Sequence, residues 1–372
     1  MSRPAVLFGG PSPEHDVSIL TGLQAALALS KAGTDVTTIY WEKGGDFLLV
    51  DPSLEAESFA DGRPPKAQRV RLELGAPGGF VTEGGGIGRK PRLLEVSAVV
   101  NACHGGPGED GTLQAALDLA GVRYTGPSVA GATLGMDKVA FAAVAQSAGL
   151  PHLPVAALTQ RSASAVAQPF DGPFIVKPRF GGSSIGIELF DDWGGVVAFV
   201  SSPQPNLRTG AVVEPFRAGA DDLEIAIRCH PAVQLSDLSK PAKDASAIYD
   251  YRSKYVPGEG MAAAARELPA DVPDAIASAA RAAAETIADV AQVRGVARLD
   301  FLLADDELFV NEINTIPGSL SKHLWEGSGV PFAQLLLDMI DEATSGPGRA
   351  YSTQGADGTI LRSAASIASK LG

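Results

Sequence analysis

The run RLDFLLADDELFVNEINTIPG, residues 298–318, carries the side chains best suited to chemistry. Its polar and apolar residues alternate with the period of a strand, and Asp305-Asp306-Glu307 reads as the turn of a hairpin. On the first strand Arg298 and Asp300 share a face; on the second, Glu312 and Asn314 do. A turn centred near Asp306 sets Asp300 opposite Glu312 and gathers all four groups into one patch. The opposite face is core: Leu299, Phe301, Leu303, Phe309 and Ile313. Two carboxylates and an amide are hard oxygen donors, which Mg²⁺ takes together with phosphate oxygens and water. A surface hairpin with a solvated acidic face would show the same spacing. The tail Asn314-Thr315-Ile316-Pro317-Gly318 favours the metal, because a Pro-Gly turn leaving a carboxylate strand can aim backbone N–H groups at an anion.

Other segments must position a substrate against this patch. Ala5 to Phe8 reads as a strand, followed by Gly9-Gly10-Pro11-Ser12-Pro13-Glu14-His15-Asp16 and a helix from Val17 to Ala32. Gly33 ends that helix, and Val36 to Tyr40 is the next strand. A glycine turn after the first strand of such a βαβ start is where open α/β sheets bind ligands, although the third glycine of a dinucleotide fingerprint is missing. Val96 to Ala102 is a second buried strand and leads into a glycine-rich loop, residues 103–111, before a helix from Thr112 to Ala120. His104 in this loop faces the same crevice as Glu14; Glu14 by itself also suits a helix-start acid.

Residues 43–95, rich in Gly, Pro and charge, read as a peripheral hairpin insertion. Gly126-Pro127 marks a domain boundary, and one helix is expected through Met136-Asp137-Lys138 to Ala148. A strand from Phe174 to Val176 delivers Lys177 into PRFGGSSIG, residues 178–186. The order differs from a GxxxxGK[ST] loop, but a lysine, glycines and hydroxyls can still close over phosphates. Val212 to Phe216 and Leu223 to Arg228 read as a strand pair, and residues 248–261 as a polar lid. Pro273 to Val293 and Pro331 to Thr344 read as helices, and a short helix is expected near Leu361 to Leu371.

Composition bounds the rest. At 372 residues, two or three domains are expected. Hydrophobic content of 45% and charged content of 20% fit a globular protein, with no run long enough for a membrane span. The N-terminal MSRPAVLFGG has no signal-peptide core, which points to the cytoplasm. Cys103 and Cys229 fit a reducing compartment and read as small buried residues. A net charge of −13 argues against nucleic acid as a partner. An anionic substrate then depends on individual lysines.

LFGGPSPEHDVS, HGGPGEDGTLQ, GMDK, VKPRFGGSSIG, YDYRSKY and RLDF followed by NEINTIPG stand in the order found in D-alanine–D-alanine ligases of the ATP-grasp superfamily. The chain resembles that family over residues 4–343. The resemblance implies an α/β fold of three domains, an ATP-grasp fold with a Rossmann-like pre-ATP-grasp domain at the N-terminus. Residues 1–126 would form that substrate domain, 127–210 the small ATP-grasp domain and 211–345 the catalytic domain, with 346–372 as an extension. Lys138 and Lys177 would contact ATP phosphates, with Ser183 and Ser184 in the loop above them. Glu214 and Phe216 would border the adenine, Asp222 would take the ribose position where the family usually carries Glu, and Asn311 would stand beside the nucleotide. Asp300, Glu312 and Asn314 would hold a pair of Mg²⁺ ions, with Mn²⁺ as a substitute. Lys254 would reach the γ-phosphate from the lid. Glu14 would bind the first amino acid's ammonium, and Ser183 with Tyr255 would link it to the closed lid. His104 would touch that substrate, while Arg298 and the Gly318 N–H would stabilise the tetrahedral intermediate. The family joins two D-alanines through an acylphosphate for peptidoglycan precursors, as a cytoplasmic homodimer with no nucleic-acid or membrane partner.

The chain departs from the family pattern after Gly318. The family runs through a longer segment with a serine for the second substrate's carboxylate; here only Ser319 to His323 precede Leu324-Trp325. Ser321 would replace that serine, and Lys322 or His323 would add positive charge. The short segment favours a sister ligase with another acceptor, such as D-serine, D-lactate or an amino acid of specialised metabolism.

Overall fold

The computed structural model describes residues 3–75, 78–83, 90–242, 266–346, 348 and 351–363. The chain builds three main sheets. The first contains β1 (Arg3–Gly9), β2 (Thr37–Trp41), β3 (Phe47–Val50), β4 (Gln68–Glu73), β5 (Gly79–Thr82), β6 (Arg92–Leu93) and β7 (Val96–Asn101), in the order β6-β5-β4-β3-β2-β1-β7. β1 runs parallel to both β2 and β7. It is buried from Pro4 to Gly9, as a strand covered on both faces must be. Helix α1 (His15–Lys31) connects β1 to β2 and ends at Gly33, whose positive φ of 82° suits glycine. Because β1 lies between β2 and β7, the loops at the carboxyl ends of β1 and β7 open side by side. Residues 43–95 are therefore more than a peripheral insertion. Their strands β3 to β6 extend the same sheet antiparallel from β2.

After β7 come α2 (Gly106–Glu109), α3 (Thr112–Leu119), α4 (Val129–Met136) and α5 (Lys138–Ser147). The single helix expected through residues 136–138 is broken at Asp137, which is extended (φ −91°, ψ 98°). Its carboxylate caps α5 by accepting from the N–H groups of Val139 and Ala140, the ordinary N-cap role of Asp.

The second sheet is built from β8 (Ala156–Leu158), β9 (Phe174–Pro178), β10 (Glu188–Phe190) and β11 (Ala211–Pro215), in the order β10-β9-β11-β8, with α6 (Trp193–Ser201) beside it. The third contains β12 (Asp221–Arg228), β13 (Gln234–Leu235), β16 (Val296–Ala304) and β17 (Glu307–Asn314), in the order β13-β12-β16-β17. Between them in sequence, β14 (Lys240–Pro241) and β15 (Arg266–Glu267) form a small ribbon. The expected pairing of residues 212–216 with 223–228 does not occur. β11 pairs with β8 and β9, and β12 pairs with β13 and β16, so the division expected at 210/211 falls inside the second sheet.

Helix α7 (Asp274–Val290) presents Ala280, Ala283, Ala284, Ile287 and Ala288 at helical spacing to the third sheet. Phe141 and Ala145 of α5 join that core, with Leu223, Ile225, Leu299 and Phe301. Helices α8 (Lys322–Gly327) and α9 (Phe332–Ser345) bring Leu324, Trp325, Leu335 and Met339 against Phe8, Leu29 and Val100, which ties the third sheet's region to the first. Near the C-terminus α10 (Thr359–Ser363) buries no residue; the rest of the expected helix lies outside the described residues. Among the described residues no helix is long and apolar enough to cross a membrane. Cys103 and Cys229 are free thiols.

Candidate active site

The hairpin β16–β17 gathers the polar patch through a register shift. Its turn has two residues, Asp305 and Asp306, both at positive φ (52° and 63°), with Ala304 opposite Glu307. From there Leu303 faces Leu308, Leu302 faces Phe309 and Phe301 faces Val310. Continued unbroken, that register would set Asp300 against Asn311. A bulge after Phe301 instead pairs Asp300 with Glu312 and Arg298 with Asn314, as expected, and leaves Asn311 as the extra residue. The bulge also changes which side chains face the core before it. Val310 is 2% exposed and lies in the core, whereas Phe309, expected there, is only partly buried.

Arg298 holds Asp300 in a bidentate ion pair, with Nε donating to Oδ1 at 2.6 Å and Nη2 to Oδ2 at 2.7 Å. Asn314 donates its amide Nδ2 to Asp300 Oδ2 at 2.9 Å. Burial lifts the Asp300 carboxyl to about 6 against the pull of Arg298, with Glu224 and Glu312 adding to the rise. Across the patch, Lys138 Nζ sits 3.0 Å from Glu312 Oε2 and donates to the Gly181 carbonyl at 2.9 Å. Lys177 Nζ donates to Glu214 Oε2 at 2.6 Å and to Asn311 Oδ1 at 3.3 Å. Burial works against the Lys177 ammonium, but the Glu214, Glu312 and Asp222 carboxylates outweigh it and leave its pKa raised.

Two cavities meet at Lys138, Ser183, Arg298 and Glu312. The larger, about 330 Å³, runs between the second and third sheets and is lined by Lys177, Ser184, Glu214, Phe216, Asp222, Asp300 and Asn311 among others. Its size suits a ligand larger than one amino acid. The smaller, about 120 Å³, is lined by Glu14, His104, Glu224, Arg266, Asn314, Gly318, Ser319 and His323 among others. In it the Ser183 hydroxyl donates to Glu14 Oε1, which links the loop after β9 to the loop after β1. Gly105, at φ +61°, lies so close that a Cβ there would stand 2.3 Å from Glu14 Oε2, so this approach requires glycine.

His104, expected to touch the first substrate, is brought to this cavity and lines it, with both ring nitrogens engaged by the protein. Its Nδ1 lies 2.7 Å from the Ile316 carbonyl, an acceptor only, so Nδ1 carries the proton. The Thr21 hydroxyl then donates to Nε2 at 2.7 Å, and Thr21 in turn accepts from the Ser319 N–H at 3.1 Å. With both nitrogens engaged, the ring braces the loop after β17. Burial lowers its pKa and outweighs nearby Glu14. Ser321, expected to take the place of the family's acceptor serine, is fully buried, its Oγ has no hydrogen-bond partner among the described residues, and Ser319 and His323 line the cavity here. Lys322 is partly exposed and paired with Glu326, and burial, with help from Arg266, pushes His323 down to about 4, so neither adds positive charge to the cavity wall. Lys254, Tyr255 and the lid lie outside the described residues.

Sequence reasoning gave no role to Glu109, Glu224, Arg266 or Arg179. Glu109, 8% exposed, accepts from the N–H groups of Gly105 (2.9 Å) and Ile316 (2.8 Å), fastening the β7 loop to the β17 tail. Its position in the glycine-rich HGGPGED run was the available signal. Arg179 holds Asp137 bidentately, fixing the start of α5 and hence Lys138. Glu224 stands 3.6 Å from Arg298 and 3.4 Å from Arg266.

The residues present fit Mg²⁺. Asp300 and Glu312 oppose each other, and Asn314, paired with Arg298 on the same face, offers an amide oxygen. Among the described residues no cluster of three His, Cys, Asp or Glu could hold a metal by itself.

Known proteins match along almost the whole chain. Family models described as the D-ala D-ala ligase N-terminus and C-terminus match residues 3–127 and 132–341. A D-alanine–D-alanine ligase of Mycobacterium leprae is 32% identical over 362 residues, covering 92% of this chain and 93% of that protein. One from Bradyrhizobium is 32% identical over 355 residues, covering 92% and 95%. Among solved structures, D-alanyl-alanine synthetase A of Vibrio cholerae superposes with a TM-score of 0.76 at 20% identity, covering 93% of this chain and 99% of that one. The VanG D-Ala:D-Ser ligase of Enterococcus faecalis gives 0.74 at 24% identity, covering 91% and 98%. The chain has the ATP-grasp fold of these structures, and it belongs to the D-alanine–D-alanine ligase family as an ATP-dependent ligase.

Proposed function

We propose that this ligase joins two amino acids by way of an acylphosphate, in its simplest form D-alanine to D-alanine for peptidoglycan precursors. The observation that carries the reading is the junction of the two cavities at Lys138, Arg298 and Glu312. A triphosphate in the larger cavity would end where an amino acid in the smaller one begins. Lys138 and Lys177 would hold the phosphates, and Glu214, Phe216 and Asp222 the nucleoside. Glu14 would accept the first substrate's ammonium and so point its carboxylate at the γ-phosphate. Magnesium, bound by Asp300, Glu312 and Asn314, would supply charge neutralisation between the two anions. The carboxylate oxygen bonds to the γ-phosphorus as ADP leaves; the second substrate's amine then bonds to the acyl carbon, and phosphate leaves. Arg298 and the Gly318 N–H would face the oxyanion of that second step. No side-chain nucleophile is needed.

The burial of Ser321 and the short segment after Gly318 favour a second reading, in which the acceptor differs from D-alanine. Phosphate release from ATP, measured over pairs of amino acids, tests both. No turnover with D-alanine alone would sink the simplest version, and no turnover with any pair would sink the ligation reading. The cytoplasmic setting and a homodimer belong to the same proposal, and light scattering of the purified protein checks the dimer.

A further inference from the structure

The smaller cavity has two unlike ends. At the first, the Ser183 hydroxyl donates to Glu14, and His104 is held by Thr21 and the Ile316 carbonyl. At the second, the His323 Nε2 is shielded from solvent and has no hydrogen-bond partner among the described residues. The carboxylate facing it, Glu224 Oε2, is 4.0 Å away. A shielded polar atom without a partner is costly, and in a cavity wall a ligand can supply the missing bond.

The ring is also held in place at a cost. Ser319, Leu320 and Ser321 all have left-handed backbones (φ 49°, 52° and 54°), which non-glycine residues rarely adopt in series. Leu320, 1% exposed, anchors this turn in the core beside Trp325, and the Ser319 N–H is tied to Thr21. The turn delivers His323 into the first turn of α8 and toward the cavity. Arg298 lines the same cavity and stands 3.6 Å from Glu224. Ser319, Glu224 and Arg266, which line the cavity with His323, are polar.

On the ligase reading, we propose that His323 selects the acceptor by its side chain, favouring an amino acid whose side chain carries a hydroxyl or similar hydrogen-bonding group to pair with Nε2. The neutral imidazole can accept from or donate to a hydroxyl, according to its tautomer.

The test supplies ATP, D-alanine as donor, and either D-serine or D-2-aminobutyrate as acceptor, which differ by a hydroxyl in place of a methyl. D-Serine should be favoured in kcat/KM by about tenfold or more, as expected where a site is built to bond a hydroxyl. His323→Leu should bring the ratio close to one while ATP and donor KM hold. His323→Gln, which keeps a hydrogen-bonding group, should restore part of the preference. No preference in the wild-type enzyme, or a ratio unchanged in the Leu variant, overturns the proposal. If the Leu variant fails to fold, the wild-type ratio and the Gln variant decide alone. Absence of phosphate release with every pair would mark failure of the ligase reading, which is distinct from turnover without selectivity.

Discussion

Glu214→Gln separates the electrostatics of the larger cavity from its shape. The Lys177 ammonium and Glu214 carboxylate lie 2.6 Å apart, with side-chain exposures of 10% and 4%. Removing one partner of a buried pair costs about 3–5 kcal/mol, because the other charge is left uncompensated. Asn311 still accepts from Lys177, and Glu312 and Asp222 still act on it, so the low end, about 3 kcal/mol, is expected for the ligand-free protein. If Lys177 contacts the triphosphate, bound nucleotide replaces the missing negative charge. The gap between wild type and variant should then shrink by at least about 1 kcal/mol with saturating Mg²⁺ and a non-hydrolysable ATP analogue. Denaturant unfolding of both proteins, with and without the analogue, measures all four quantities. An unchanged gap would refute the contact between Lys177 and phosphate; a ligand-free loss below about 1 kcal/mol would refute the energetic weight given to the pair.

Further outcomes follow from the same geometry. Arg298→Ala should lower kcat about a hundredfold while the KM for ATP changes little, as for loss of an oxyanion donor; steady-state kinetics checks this, and an effect confined to ATP would reassign the residue. Glu312→Gln should abolish turnover yet leave unfolding cooperative, since its side chain lies at the cavity junction rather than in the core; an active variant would contradict its place in the metal site. Glu109 is pushed up from 4.5 to about 7, first by burial and then by Glu14, so the folded chain holds a proton that the unfolded chain has released. Its stabilising contribution is full below pH 4.5 and lost as pH rises through about 7, roughly 3 kcal/mol in all at 1.36 kcal/mol per pH unit. The stability of Glu109→Gln relative to wild type should therefore improve from pH 5 to pH 8, and a difference flat across that range would show that Glu109 does not titrate there.

The amino-acid sequence settled the local features. Alternation assigned Arg298 and Asp300 to one face, glycine after β1 and β7 marked the crevice, and a lysine before a glycine-serine run marked a wall of the larger cavity. Alternation gives a side chain's face within one strand, however, and says nothing about which strand lies next to it. β11 and β12, adjacent in the chain, joined different sheets, because pairing is decided by long-range contacts. A hairpin's register depends on its turn and on any bulge. The two-residue turn at Asp305-Asp306 would have misaligned the two carboxylates, and only the extra residue at Asn311 brought Glu312 opposite Asp300 and sent Val310 inward in place of Phe309. The fate of a polar side chain likewise depends on distant partners. Thr21 and Ile316 engage His104, and the left-handed turn that buries Ser321 turns His323 into the cavity. Spacing along the chain limits what can come together, but hydrogen bonding and burial in the folded chain decide which groups remain available for a substrate.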